Sequence, residues 1–169
     1  MFKNTIFRRM TALVLTLALA AAAALPGLAV YPMPIQTASE TEAVYLFNAD
    51  TGKTILNQNA GQQQYVASLT KLMTALLLLE SGKDLNGEVT VPTALTQEFR
   101  DIQNANGTTM GLRIGETVRR IDLLNAMLIV SANDAASVIA YDVGGSVLDF
   151  VKQMNARAQE LGCTGTNFT

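Results

Sequence analysis

The 169-residue sequence contains no histidine, a single cysteine and no excess of basic residues. Without histidine, a Ser-His-Asp or Cys-His catalytic group cannot form, and metal sites that need imidazole are excluded. Cys163 has no partner for an intrachain disulfide, and one thiol is a poor basis for a zinc site. With 12 Lys and Arg against 14 Asp and Glu, the chain lacks the basic surplus of a nucleic-acid binder, so no nucleic-acid partner is expected.

The first 29 residues have the pattern of a secretory signal peptide. Three basic residues within positions 1–9 precede the uncharged segment 11–25, and the tripeptide 27–29 places small residues where a signal peptidase cleaves. The apolar segment is shorter than the ~20 residues that a membrane-spanning helix needs, which favours cleavage over an uncleaved anchor. Without residues 1–29, nine basic and 14 acidic residues remain, a formal charge of −5. We therefore expect an acidic extracytoplasmic protein that is secreted, periplasmic or held peripherally on the outer face of the cytoplasmic membrane.

The remaining sequence divides into a linker and one folded domain. Residues 30–42 are polar and contain two prolines, which indicates a linker before a domain at 43–169. The apolar run 43–47 predicts a buried strand, and turn residues separate it from a second strand at 53–58. This pattern predicts a β-hairpin followed by a loop.

Four helices are predicted after the hairpin. Residues 69–80 are apolar on all sides, which indicates a helix buried inside the protein. Residues 84–106 are interpreted as a looser polar segment, extended near 88–92. Helical spacing or capping residues predict the other three helices at 117–130, 133–141 and 147–161, the last with a capping box of Ser146 and Asp149.

The tetrapeptide Ser68-Leu69-Thr70-Lys71 opens the apolar helix. Residues three apart share a helix face, so the Ser68 hydroxyl and the Lys71 amine can meet. The positive end of the helix dipole eases formation of an alkoxide, and an apolar setting lowers the pKa of a lysine toward that of a general base. The alternative is that Ser68 only caps the helix while Lys71 extends to solvent, and spacing alone does not separate the two.

A second candidate group is Ser131-Ala132-Asn133, between two predicted helices. The hydroxyl of Ser131 could pass a proton to a leaving group, and the amide of Asn133 could bind a peptide group through its donor and its acceptor. Both residue types are also ordinary caps. Nearby charges are interpreted structurally: Arg119 and Arg120 as a solvated pair, and Asp134 as a charge at a helix start.

Taken together, these motifs and the sequence around them resemble the low-molecular-mass penicillin-binding proteins, the serine-type D-Ala-D-Ala carboxypeptidases. The resemblance covers 43–80, 111–136 and 150–168 in order and spacing. It implies an α+β, β-lactamase/transpeptidase-like fold, with an antiparallel sheet flanked by helices and a helical lobe. It implies no metal or organic cofactor.

The resemblance also implies a role for each motif residue. By position, Ser68 would be the nucleophile that becomes acylated and Lys71 its base. Ser131 would pass a proton to the departing D-alanine, and Asn133 would hold the substrate amide. The implied partners are peptidoglycan stem peptides ending in D-Ala-D-Ala, and β-lactam antibiotics that mimic them. In the family, membrane attachment usually lies in a C-terminal tail, so it remains an expectation for a longer parent chain.

The sequence departs from the family pattern in three places. Val66-Ala67 replaces the usual Pro-Ala before the active serine, and Ala132 replaces a usual glycine; both changes are mild. The third family motif, K-T-G, is absent. The expectation is therefore an N-terminal part of the catalytic domain, truncated so that the C-terminal strands are missing, and poorly folded or inactive by itself.

Two other functions fit parts of this pattern. A class A β-lactamase also uses S-x-x-K, but it carries Ser-Asp-Asn at the second motif, where this chain has Ala132. The second is a non-catalytic exported module that keeps the N-terminal lobe of the fold and sequesters cell-wall peptide without cleaving it.

Overall fold

The computed structural model describes residues 39–169, so the predicted signal peptide and most of the predicted linker lie outside the described residues. The chain divides into two compact units after Ala60. Among residues 39–169, no helix has the length and apolar character needed to span a membrane.

The first unit contains the predicted hairpin. Strands β1 (Val44–Asn48) and β2 (Lys53–Gln58) pair antiparallel, with Leu46 opposite Leu56 and a bulge after Leu46. The side chain of Asn48 closes the turn by accepting a hydrogen bond from the Thr51 N–H at 2.8 Å. The hairpin prediction is confirmed, but the buried strand is wrong, because most β1 side chains are exposed on this two-stranded sheet.

The second unit, residues 61–169, contains five α-helices and one two-stranded antiparallel sheet. The helices are α1 (Thr70–Glu80), α2 (Thr96–Asn104), α3 (Arg120–Ile129), α4 (Asn133–Gly144) and α5 (Val147–Glu160), and the strands are β3 (Glu88–Thr90) and β4 (Thr117–Arg119). Short 3₁₀ turns at Ala67–Leu69 and Thr93–Leu95 precede α1 and α2.

Helix α4 lies at the centre of this unit and packs against α1, α2, α3 and α5. Its Val138 and Ile139 side chains are fully buried, together with Leu78 of α1 and Leu123 of α3. Burial of large aliphatic side chains is the main favourable term in folding, so α4 is the frame on which the other helices are held.

Three helix predictions need correction. The segment 84–106 contains α2, whose low apolar content hid it; its first turn carries Glu98, which favours a helix N-terminus. The predicted helix at 117–130 begins only at Arg120, because residues 117–119 pair with β3. Helix α1 forms as predicted but is not buried all round, since Leu72 and Leu79 are 61% and 55% exposed.

The junction between α4 and α5 is as predicted. Gly145 has the left-handed φ of +78° that ends a helix, and the Ser146 side chain accepts a hydrogen bond from the Asp149 N–H at 3.0 Å. At Gly144 a Cβ would lie 2.7 Å from the Cβ of Phe150, so only glycine permits the close approach of the two helices.

Arg120 is not the solvated residue that the sequence suggested. Its guanidinium makes two hydrogen bonds to the carboxylate of Asp142 on α4, at 2.7 and 3.0 Å, and both side chains are largely buried. Burial by itself raises the pKa of Asp142, but hydrogen bonds and charge from Arg120 and Lys83 outweigh it and lower the pKa. The pair therefore joins the start of α3 to α4.

Candidate active site

Ser68 lies in the 3₁₀ turn that leads into α1. The residue before it, Ala67, has a left-handed φ of +47°, a conformation that costs about 1 kcal/mol or more for a residue with a Cβ. Neither this turn nor α1 has a side-chain cap, so Ser68 is not a capping residue. Its hydroxyl instead points to other side chains: the Oγ lies 2.6 Å from the Oγ of Ser131 and 3.3 Å from the Nζ of Lys71.

Lys71 turns its amine into the protein rather than to solvent. The residue is only 9% exposed, and the Nζ donates hydrogen bonds to the Oδ1 of Asn133 at 2.8 Å and to the Oγ of Ser68. Among residues 39–169, no carboxylate forms an ion pair with it. Burial without a counter-charge lowers the pKa of Lys71 from the ordinary 10.5, which favours the neutral amine that a base must be.

Ser131 and Asn133 lie at the break between α3 and α4, as predicted. Ser131 has a left-handed φ of +61°, and the buried Ala132 follows it at the N-cap of α4, where no side chain caps the helix. Asn133 donates to the carbonyl of Thr108 twice, from its backbone N–H at 2.8 Å and from its Nδ2 at 3.1 Å. Its amide oxygen is therefore directed at Lys71.

The four residues singled out from the sequence thus form one connected group within the second unit. The Ser68 hydroxyl contacts both the buried Lys71 amine and the Ser131 hydroxyl, and the Asn133 amide oxygen accepts a hydrogen bond from the same amine. Such a group can move a proton from one hydroxyl to the amine while the second hydroxyl passes a proton onward. Among residues 39–169, no cluster of three Cys, Asp or Glu side chains is placed to hold a metal ion.

Asp134 does more than place a charge at the start of a helix. It is 2% exposed, and its carboxylate accepts hydrogen bonds from the backbone N–H groups of Met110, Gly111 and Leu112, each at 3.0 Å. It also accepts one from the N–H of Ala135 in its own helix at 2.9 Å. The earlier interpretation of Asp134 is thus incomplete, because it overlooked the long-range contacts.

Sequence reasoning also missed Thr108, which contributes through its backbone carbonyl. No side-chain motif reveals such a contact, since any residue supplies the same oxygen. The signal that was present is the turn at Asn106-Gly107, which places the chain beside Asn133: a Cβ at Gly107 would lie 3.0 Å from the Nδ2 of Asn133.

The match to a family model is decisive for classification. Residues 32–169 match the model described as D-alanyl-D-alanine carboxypeptidase, and the chain belongs to this family. It is 33% identical over 136 residues to the D-alanyl-D-alanine carboxypeptidase DacF of Bacillus subtilis, covering 79% of this chain and 33% of that protein. It is also 33% identical over 136 residues to a D-alanyl-D-alanine endopeptidase of Pseudomonas aeruginosa, covering 80% and 42%.

Solved structures agree with this classification. A Streptomyces DD-transpeptidase is similar with a TM-score of 0.67 at 30% identity, over 74% of this chain and 49% of that one. Penicillin-binding protein 5 of Haemophilus influenzae has a TM-score of 0.59 at 32% identity, over 70% and 34%. The predicted α+β, β-lactamase/transpeptidase-like fold is confirmed. The chain spans between a third and a half of the length of these relatives.

Proposed function

We propose that this chain carries the acylation half of an exported, penicillin-sensitive serine hydrolase that removes the terminal D-Ala from peptidoglycan stem peptides. One observation carries the proposal: the Ser68 hydroxyl lies beside a buried amine with a lowered pKa and in hydrogen-bond contact with a second hydroxyl. Membership of the D-alanyl-D-alanine carboxypeptidase family supplies the substrate class.

Acylation begins with neutral Lys71. The amine accepts the proton of the Ser68 hydroxyl while the Oγ attacks the carbonyl carbon of the penultimate D-Ala, which forms a tetrahedral oxyanion. The position of Ser68 before α1 places its backbone N–H near the positive end of that helix, where developing negative charge is favoured.

Collapse of the oxyanion breaks the peptide bond. Ser131 lies 2.6 Å from the oxygen that is acylated, so we assign it the role of proton donor to the nitrogen of the departing D-Ala; the Lys71 ammonium then reprotonates Ser131 and returns to the neutral amine. The products are free D-Ala and an ester on Ser68. Water then gives a proton to Lys71 as it attacks the ester carbonyl. The Ser68 oxygen takes that proton back from Lys71 as it leaves, and the shortened peptide is released with a free carboxyl group. The amide of Asn133 is placed to bind the peptide group of the substrate.

The location and domain boundaries are part of the proposal. The signal pattern of residues 1–29 supports an extracytoplasmic enzyme, with a linker to residue 42 and the catalytic region from 43 to 169. The N-terminal sequence of the protein from an expressing bacterium tests this: a start at residue 30 supports it, whereas a retained Met1 in the cytoplasmic fraction contradicts it.

We further propose that residues 43–169 alone turn over D-Ala-D-Ala peptides poorly. The sequence has no K-T-G, the motif to which the resemblance assigns one oxyanion N–H and the cations for the substrate carboxylate. One missing oxyanion donor typically lowers the rate by about 10²–10³. Release of D-Ala by the purified chain at the rate of an intact relative would contradict this statement.

Covalent labelling tests the chemistry. The purified chain is incubated with a fluorescent penicillin, beside Ser68→Ala and, as a matched control, Ser81→Ala at the far end of α1. Because one oxyanion donor is missing, we expect an adduct that forms slowly but is stable on the wild type and the control, and none on Ser68→Ala.

Each other result points elsewhere. An adduct that is released within seconds would indicate a β-lactamase, and an adduct that survives Ser68→Ala would refute the assigned nucleophile. Absence of an adduct from a folded wild-type chain would favour the non-catalytic module that sequesters cell-wall peptide.

A further inference from the structure

Asp134 lies next to Asn133 but has no contact with the reacting groups. Its buried carboxylate binds three successive backbone N–H groups of the segment 110–112, which lies more than twenty residues earlier in the chain. A carboxylate that accepts several backbone N–H bonds holds a loop more strongly than neutral acceptors do. The segment is thereby attached to the first turn of α4.

Thr108, two residues before this segment, supplies the carbonyl that orients Asn133. The Thr108 oxygen accepts both the backbone N–H and the Nδ2 of Asn133, and this leaves the Oδ1 to face the Lys71 amine at 2.8 Å. At Gly107 a Cβ would lie only 3.0 Å from the same Nδ2. The loop therefore fixes the Nδ2 group of the side-chain amide both by the hydrogen bond to Thr108 and by close packing at Gly107.

We propose that Asp134 is a positioning residue for acyl transfer: by holding the segment 108–112 against α4, it fixes the amide of Asn133 and so the place of the Lys71 amine. The inference rests on the proposed function. It assigns to Asp134 an effect on the reaction rate beyond its contribution to the stability of the fold, because a misplaced base slows proton transfer.

The first test replaces the carboxylate by an amide of the same size. In Asp134→Asn, one oxygen remains as acceptor and the new NH₂ group faces N–H donors, so the segment is released. We expect penicillin acylation of the folded protein to slow about 10- to 100-fold. The matched control is Asp142→Asn, which breaks a buried ion pair at the other end of the same helix and leaves the site contacts in place.

A double-mutant cycle separates positioning from general damage. If Asp134 acts through Asn133, then Asp134→Asn should slow acylation strongly in the wild type but little in an Asn133→Ala background. Equal slowing in both backgrounds would overturn the proposal. So would an Asp142→Asn protein that is slowed as much as Asp134→Asn.

Gly107→Ala perturbs the same contact without touching Asp134, and it decides the case if Asp134→Asn fails to fold. The added methyl would lie 3.0 Å from both the Asn133 Nδ2 and the Ile102 Cγ2, so it should displace the Asn133 amide and slow acylation several-fold, whereas Gly61→Ala, at a site with open space, should not. Unchanged acylation in Gly107→Ala would contradict the proposal.

An NMR readout keeps this inference distinct from the proposed function. The side-chain NH₂ signal of Asn133, assigned by its loss in Asn133→Ala, should shift in Asp134→Asn and stay in place in Asp142→Asn. A signal that does not move in Asp134→Asn would refute the positioning role. A wild-type chain that is never acylated would refute the proposed function, and the NMR comparison would still decide the role of Asp134.

Discussion

The two helices that present the candidate site are packed in different ways. Helix α4, which carries Asn133, buries residues on all sides, including Ser137 and Asp134, and it contacts four other helices. Helix α1, which carries Lys71, buries one face and exposes Leu72 and Leu79 on the other. The comparison indicates that α4 provides the fixed part of the site, and that the buried side of α1 and the 3₁₀ turn before it hold Lys71 and Ser68 against it.

The largest effect is expected from the one charged side chain on the buried face of α1. Lys71→Ala removes the base and should slow penicillin acylation by about 10²–10⁴-fold. Lys71→Arg should fail equally, because a guanidinium stays protonated. Labelling rates measure both, with the exposed Lys152→Ala as control; a Lys71→Ala protein that is labelled at the normal rate would exclude Lys71 as the base.

A comparison of stability should separate the two helices. Ile139→Ala on α4 creates a cavity in the core and should lower the free energy of unfolding by about 3 kcal/mol. Acylation by the fraction that stays folded should change much less than in Lys71→Ala. Urea titration measures the free energy of unfolding, and penicillin labelling measures acylation.

The exposed face of α1 offers the corresponding control. Leu72→Ala, at a side chain 61% exposed, should change the free energy of unfolding by less than about 0.5 kcal/mol. If Leu72→Ala lowered the free energy of unfolding as much as Ile139→Ala, the Leu72 face of α1 would be covered in solution. The contrast between the two helices would then disappear.

The pH dependence gives a smaller but directed effect. Since only the neutral amine accepts the serine proton, acylation should rise about tenfold per pH unit and level off above the lowered pKa of Lys71, before 10.5 is reached. Stability follows the same group: the unfolded chain binds the Lys71 proton more tightly, so the free energy of unfolding should also rise with pH between the lowered pKa and 10.5. Lys71→Met should lose this rise, and an acylation rate that is flat across the range would contradict the role of a neutral base.

The sequence predicted the parts of this molecule that depend on local chemistry. The hairpin, the apolar α1, the capping box of Ser146 and the Ser68/Lys71 pairing all follow from spacings of one to five residues. The predicted start of α3 was wrong, because residues 117–119 pair with β3 and do not join the helix.

Contacts made over long separations could be predicted only where the family resemblance grouped the residues, as for Ser68 with Ser131. The contact of Asn133 with Thr108, the Asp134 hydrogen bonds to residues 110–112 and the ion pair of Arg120 with Asp142 join residues more than twenty positions apart. Their partners are largely backbone atoms, which leave no mark in a residue pattern.

Four residues other than glycine adopt left-handed backbone angles in the described part of the chain. Two are the asparagines Asn59 and Asn106, which tolerate that geometry, whereas Ala67 and Ser131 flank or form the candidate site. A laboratory selection for heat resistance alone would therefore be drawn to glycine at these two positions, since relieving such angles commonly adds stability. Glycine at 67 would loosen the turn that holds Ser68, and glycine at 131 would remove the second hydroxyl, so the more heat-resistant variants would lose activity, which is a conflict between stability and catalysis.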